Sequence, residues 1–376
     1  MITESNSWTS DMTADPTKSA LSKRELKTLA LLIAAFLIEI GSACGGGSAP
    51  VKTPPPPQQF DFFPIVDAVD NPTTVQYAYA PSIIFQNNVY HVFFCSGGNI
   101  SPAWDYVRYV NSMDGGKTWS SPVDMLHATA FNGMDLSACD PNVVFFQGFY
   151  YMFYGSAITT APGVFQTVIQ VARSTTVTGP YLTYTQRGTW DDTPTDPQVI
   201  IKPMQIRTQQ PSGYGAGQPS VVVLNGKLLL WYTDDSLFVT QNGDFGTFHL
   251  YMLQSTDPVT WTPDPNQKTD IVGQDSPDVK YDPVHNQFVA TWVLNMFTTS
   301  ASLVRAFSTD GLNWGQPQVA ISTGSFLPYT NNAGATADET GHLLPSQTIV
   351  GFGRPFSQAA IDAGLWDLDG VSLDAP

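Results

Sequence analysis

CDPNVVFFQGFYYMFYGSA, residues 139–157, is the stretch whose reading decides the fold. Asn142–Phe146 and Tyr150–Tyr154 are Val/Phe/Tyr-rich runs that suit a pleated, half-buried surface, and Gln147-Gly148 predicts a tight turn between them. Asp140-Pro141 stands at the entry, where proline fixes the backbone and leaves a carboxylate at the mouth of the strand. The phrase recurs as YAPSIIFQNNVYHVFFCSGG upstream, and as GQPSVVVLNGKLLLWYTDDS and DSPDVKYDPVHNQFVATWVLN downstream. A second phrase follows each copy: NSMDGGKTWSSP, a weaker ARSTTVTGPY, QSTDPVTWTP and FSTDGLNWGQP.

The repeat prolines Pro81, Pro141, Pro219 and Pro277 are 60, 78 and 58 residues apart. The long middle interval holds a Pro/Thr/Gln/Gly-rich insertion, Trp190–Gly217. A degenerate fifth copy fits Asn332–Leu373, with Thr340-Gly341 at its hairpin turn. A repeated unit of hairpin, third strand, polar turn and Trp-led fourth strand is the signature of a propeller blade. The expectation is an all-β, five-bladed β-propeller of four-stranded blades over residues 63–376.

Residues 1–43 form a separate expectation, an export signal. Lys18, Lys23, Arg24 and Lys27 precede an apolar run, Leu29 to Ile40, too short for a comfortable membrane span. Gly41-Ser42-Ala43 supplies small residues before a cut, and Cys44 follows. The arrangement resembles a bacterial lipoprotein signal, which implies lipidation of Cys44 and a lipid anchor at the cell envelope. Ordinary cleavage after Ala43, giving a secreted or periplasmic product, is the other reading. Residues 44–62, Gly/Ser-rich and then Pro-rich, suit a flexible and then stiff tether.

Net charge is −16, with 16 Lys and Arg against 32 Asp and Glu. So acidic a chain argues against binding nucleic acid, or anionic lipid by charge. Contact with a membrane would run only through Cys44, and a monomer is expected. Cys95 and Cys139 are either a disulfide or two buried thiols. No CxxC, HExxH, Gly-rich phosphate loop or GxSxG elbow is present.

Ser112–Trp119 matches the S-x-D-x-G-x-T-W box of sialidase-type propellers, and residues 255–261 and 308–314 match in part. In such boxes the Asp bonds its own turn, on the face away from the substrate funnel. Asp114, Asp257, Asp310, Asp282 and Glu339 therefore belong to the back. If each first strand starts at the funnel, the front carboxylates are Asp140, Asp234, Asp235 and Asp275, with Asp135 and Asp105 as further front candidates. The front also offers Tyr79, Trp104, Gln218, His249, Asn295 and Arg354 as substrate-binding residues, with Phe131, Tyr214 and Tyr329 as further stacking surfaces.

The phrases DPNVVFFQGFYYMFYGSA, QPSVVVLNGKLLLWYTDD, SPDVKYD and AFSTDGLNW resemble the five-bladed propellers of the family 43 glycoside hydrolases. That resemblance covers residues 63–376. It implies inverting hydrolysis of arabinosyl or xylosyl glycans by an Asp base in a D-P phrase, a pKa-tuning Asp and a Glu acid in an E-x-P phrase. Asp140-Pro141 matches the base, and Asp275-Ser276-Pro277 stands in the acid's phrase with Asp for Glu. Asp234 and Asp235 would substitute for the tuning Asp, since Gln218 occupies its position. Ala80 precedes the first repeat proline, so the alternative is a propeller that binds carbohydrate without cleaving it. The resemblance requires no cofactor and leaves the central channel as the place for a structural calcium.

Overall fold

Proline cannot donate to a strand ladder, so each X-Pro phrase marks a strand whose start is freed from regular pairing. The computed structural model describes residues 60–68, 77–98, 104–209, 213–236, 249–274, 276–346 and 348–373. Strand β1 is Phe62–Val66; β2 (Ala78–Gln86), β3 (Val89–Gly97), β4 (Asp105–Ser112) and β5 (Val123–His127) form the first antiparallel unit. The second comprises β6 (Cys139–Phe146), β7 (Phe149–Ala161), β8 (Val164–Ser174), β9 (Leu182–Tyr184) and β10 (Trp190–Asp191). The third comprises β11 (Ala216–Leu224), β12 (Lys227–Asp234) and β13 (His249–Ser255). The fourth holds β14 (Asp278–Asp282), β15 (Gln287–Leu294), β16 (Ser302–Ser308) and β17 (Gln318–Ile321). In the fifth, β18 (Asn331–Ala337), β19 (Thr348–Pro355) and β20 (Trp366–Leu373) are completed on the outside by β1.

Four strands per unit is therefore not uniform among the described residues. The phrase expected to form a fourth strand in the third unit, residues 256–264, runs as turn and coil. Pro258 and Pro263 remove two of the donors that a ladder would need there. The hairpin turns follow the sequence closely: Gln147-Gly148 and Asn225-Gly226 both carry two positive φ values, 48° with 89° and 52° with 73°. Paired positive φ is what a type I′ turn requires.

The first strands touch in a ring, β2 to β6 to β11 to β14 to β18 and back to β2. At each of the first four steps, the polar residue after the proline caps a backbone N–H of the next unit. Val143 N donates to Ser82 Oγ at 3.1 Å, and Val221 N to Asn142 Oδ1 at 3.0 Å. Val279 N donates to Ser220 Oγ at 2.8 Å, and Ala335 N to Asp278 Oδ2 at 2.8 Å. The closing step differs, because β18 pairs directly with β2 in parallel through Thr336/Ile83 and Ala337/Ile84. Gly334 permits it: a Cβ there would stand 1.8 Å from Pro81 O. Only glycine allows that approach.

The core lies between units. Phe93, Tyr109 and Met152 pack the first against the second; Phe153, Tyr232 and Trp261 pack the second against the third. Trp231 and Trp292 fill the next interface, and Phe326 with Phe352 the one after. Ile83, Val92 and Ile349 seal the fifth unit to the first. Each fully buried Trp or Phe contributes about 1.5–3 kcal/mol. The Asp-box turns anchor the outside: Asp114 accepts from Lys117 N, Thr118 N and Ser112 Oγ, and Asp310 from Leu312 N, Asn313 N and Ser308 Oγ. Among the described residues no helix is long and apolar enough to cross a membrane.

Asn142→Ala removes the acceptor for Val221 N and leaves that buried donor unpaired. It should cost about 1–3 kcal/mol of unfolding free energy in a denaturant titration. An unchanged midpoint for the alanine variant would show that the ring bonds are dispensable.

Candidate active site

The residue before each repeat proline has a left-handed backbone: φ is 50° at Ala80, 46° at Asp140, 51° at Gln218 and 50° at Ser276, with Asn332 at 32° in the fifth unit. Pre-proline sterics favour extended backbone, so four such residues on one axis are a repeated strain. The pairing register slips at the same point in β2, β6 and β11, between Tyr79 and Ser82, Cys139 and Asn142, and Gly217 and Ser220. Such a bulge re-aims a side chain. All five steps line one cavity on the axis, whose empty space of about 330 Å³ includes the open mouth.

Two carboxylates line this cavity, Asp140 and Asp278. Asp278 is engaged, taking Lys280 Nζ at 2.6 Å and Ala335 N at 2.8 Å. Asp140 is half-buried and receives a hydrogen bond from none of the described residues; the Cys139 sulfur lies 3.5 Å from its Oδ1. Burial first, and then the like charge of Asp105, push its pKa up to about 7. Asp105 is held by the Tyr77 hydroxyl on one oxygen and by Ser137 Oγ on the other at 2.6 Å. Burial raises the Asp105 pKa too, although these two bonds oppose the shift.

Cys95 and Cys139 are joined in a disulfide that ties β3 to the start of β6, one residue from Asp140. The Tyr79 hydroxyl donates to the Cys139 sulfur at 2.9 Å. Tyr79 continues into an aromatic wall, with Trp366 at 5.1 Å and Phe297 beyond it at 5.6 Å from Trp366, measured between ring centroids. Trp366 belongs to the degenerate fifth copy, where no motif marked it.

The other candidates are dispersed. Gln218 lines the cavity, and its Oε1 accepts from Thr233 Oγ1 at 2.8 Å. Trp104 stands beside Asp105 and packs edge-on against Phe165 at 5.3 Å. Asp234 and Asp235 are buried under the insertion, away from the cavity lining: Asp234 accepts from Met204 N at 2.9 Å and Ser236 N at 2.8 Å. Burial raises Asp235 to about 6, opposed by the charge of Arg207. His249 bonds Asp270 at 2.6 Å, Arg354 bonds Asp369 at 2.8 Å, and exposed Asn295 reaches Ser300 O at 3.4 Å. Asp135 is a buried loop carboxylate that holds Thr129 and Ser156, and burial pushes it up to about 6. Asp275 and Cys44 lie outside the described residues.

No family model and no curated protein sequence matches the chain. Solved structures do. An α-L-arabinofuranosidase of Podospora anserina, solved with cellotriose, shares 14% identity at a TM-score of 0.56, covering 85% of this chain and 98% of that one. A family 117 glycoside hydrolase of the marine bacterium Zobellia galactanivorans shares 15% identity at a TM-score of 0.57, with 84% and 90% covered. A GH43_1 enzyme of Xanthomonas citri, solved with xylotriose, shares 10% at 0.53, with 82% and 88% covered. The fold is a β-propeller. In this propeller the X-Pro steps line the cavity on the axis.

The raised pKa of Asp140 has a consequence for stability. A carboxyl whose folded pKa exceeds its unfolded value of about 3.9 destabilises the fold as pH rises through the interval between them. The penalty should be absent near pH 4 and complete above about 7. Asp140→Asn should therefore gain Tm relative to wild type on going from pH 4 to pH 8, by several degrees in thermal unfolding. An offset between the two proteins that does not vary with pH would show that Asp140 titrates normally.

Proposed function

We propose that this protein is a glycoside hydrolase acting on arabinosyl or xylosyl glycans in the axial cavity, with inversion at the anomeric carbon. The observation that carries the reading is Asp140: a half-buried carboxyl lining the axial cavity, held on a strained backbone and poised near neutrality by burial and, after it, the charge of Asp105. Arabinofuranosidase and xylotriose-bound propellers among the solved likenesses support the sugar class.

In this mechanism Asp140 is the general base. Ionised, it takes a proton from a water that attacks the anomeric carbon. Asp275, adjacent to cavity-lining Ser276, is the general acid and protonates the departing glycosidic oxygen. Asp105 is a positioning residue: its charge raises the Asp140 pKa, and its bonds to Tyr77 and Ser137 hold that charge in place. A pKa near the working pH lets one carboxyl both ionise and accept a proton effectively.

Asp140→Asn should abolish hydrolysis of aryl pentosides whatever the leaving group. Asp275→Asn should lose about 10²–10⁴-fold on substrates whose leaving group needs a proton, and much less on nitrophenyl glycosides. In wild type, kcat/KM should rise with pH through about 7, and Asp105→Asn should move that rise to lower pH by removing the neighbouring charge. The competing reading is a sugar-binding propeller without catalysis, which Ala80 and Gln218 at the positions matched to Asp140 favour. It would prevail if wild type binds oligosaccharides without hydrolysing any glycoside and Asp140→Asn binds equally well.

We also propose that the chain is exported and lipid-anchored through Cys44. Labelling with a radioactive fatty acid should mark wild type and spare Cys44→Ser, and equal labelling of the two would exclude acylation at this residue.

A further inference from the structure

The axial channel contains a cation supplied by the chain itself. Asp278 and Lys280 are alternate residues of β14, so both side chains leave the strand on the same face. Lys280 Nζ lies 2.6 Å from Asp278 Oδ1, with side-chain exposures of 5% and 9%. Burial this deep removes most of the hydration of both ions, and such a pair persists only when its remaining bonding capacity is filled.

That capacity is filled by neighbouring units. Ser220 Oγ of the third unit approaches Asp278 Oδ1 at 3.2 Å, and Asn142 Nδ2 of the second at 3.5 Å. Ala335 N of the fifth unit donates to Oδ2 at 2.8 Å. One carboxylate thus gathers groups from four of the five units. The nearby oxygens are committed as well: Asn142 Oδ1 accepts from Val221 N, and Ser220 Oγ from Val279 N.

We infer that the Lys280 ammonium is the axial cation of this propeller, and that its channel does not take the structural calcium for which the sequence resemblance left room. Calcium needs six to eight oxygen ligands. Here the carboxylate and its hydroxyl and amide neighbours are already engaged, and a fixed positive charge stands 2.6 Å from the carboxylate oxygen that calcium would need. The described residues hold one group of three or more His, Cys, Asp or Glu close enough to share an ion: Cys95, Asp105 and Cys139. It adjoins Asp140 through Cys139, and its two sulfurs are spent in the disulfide.

The test uses the full chain and does not depend on catalysis. Wild type should show the same Tm in excess EDTA and in millimolar calcium, and should retain no stoichiometric calcium by atomic absorption after chelation and desalting. Lys280→Met should lower Tm by about 10 °C, because the Asp278 charge is left buried without its counter-ion. Asp278→Asn combined with Lys280→Met removes both charges and should recover part of that loss. A calcium-dependent rise in wild-type Tm, or one retained calcium per chain, would overturn the inference. So would a Lys280→Met protein as stable as wild type, since the ammonium would then hold nothing together.

Discussion

The interaction on which the structure depends is the hydrogen bond from one unit's backbone to the polar side chain at the head of the unit before it. Ser82, Asn142, Ser220 and Asp278 occupy the same place after a repeat proline, and each receives an N–H of its neighbour. A first strand in a propeller has no antiparallel partner on its axial side, so its donors near the axis would otherwise be buried without acceptors. Short polar side chains supply those acceptors where there is no room for another strand. Where Gly334 removes the side chain, the backbones meet directly and the ring closes by parallel pairing.

This ring also accounts for the site. A residue before proline prefers extended backbone, yet four of them are held at a φ near +50° around the axis. Such strain persists where the surrounding structure over-determines it. Here the flanking residue is fixed by a bond to the next unit, and the bulge turns the pre-proline side chain towards the cavity. At Asp140 the disulfide between β3 and β6 adds a covalent tie one residue away. The result is a carboxyl presented to the axial cavity with low solvation and a like charge nearby, the two conditions that raise a carboxyl's pKa.

The two axial carboxylates show how environment separates residues of one type. Asp278 meets an ammonium, a hydroxyl and a backbone N–H and serves as a structural knot. Asp140, two units away around the ring, meets a disulfide sulfur and the charge of Asp105 instead. The same chemical group is structural in one place and available for chemistry in the other.

Most of the architecture was legible in the chain. Strand-forming runs, turn residues with positive φ and boxes whose Asp bonds its own turn are short-range devices, and residues close in sequence determine them. The repeat then implied the ring, and proline placement implied which ends face the axis. What sequence could not decide is anything that depends on which units are neighbours. His249, Arg354 and the Asp234-Asp235 pair stand at strand ends that the repeat places in front, yet each is taken up by a local partner or covered by the insertion. That Asp105 acts on Asp140, that Cys95 and Cys139 are bonded and that Trp366 packs on Tyr79 was decided only once separate strands were laid side by side. Hydrogen bonds and turns are local in the chain, whereas burial and Coulomb interactions act through space. The sequence by itself determined the blades and their axial ends; the tertiary structure decided which carboxylates at those ends stay free to react.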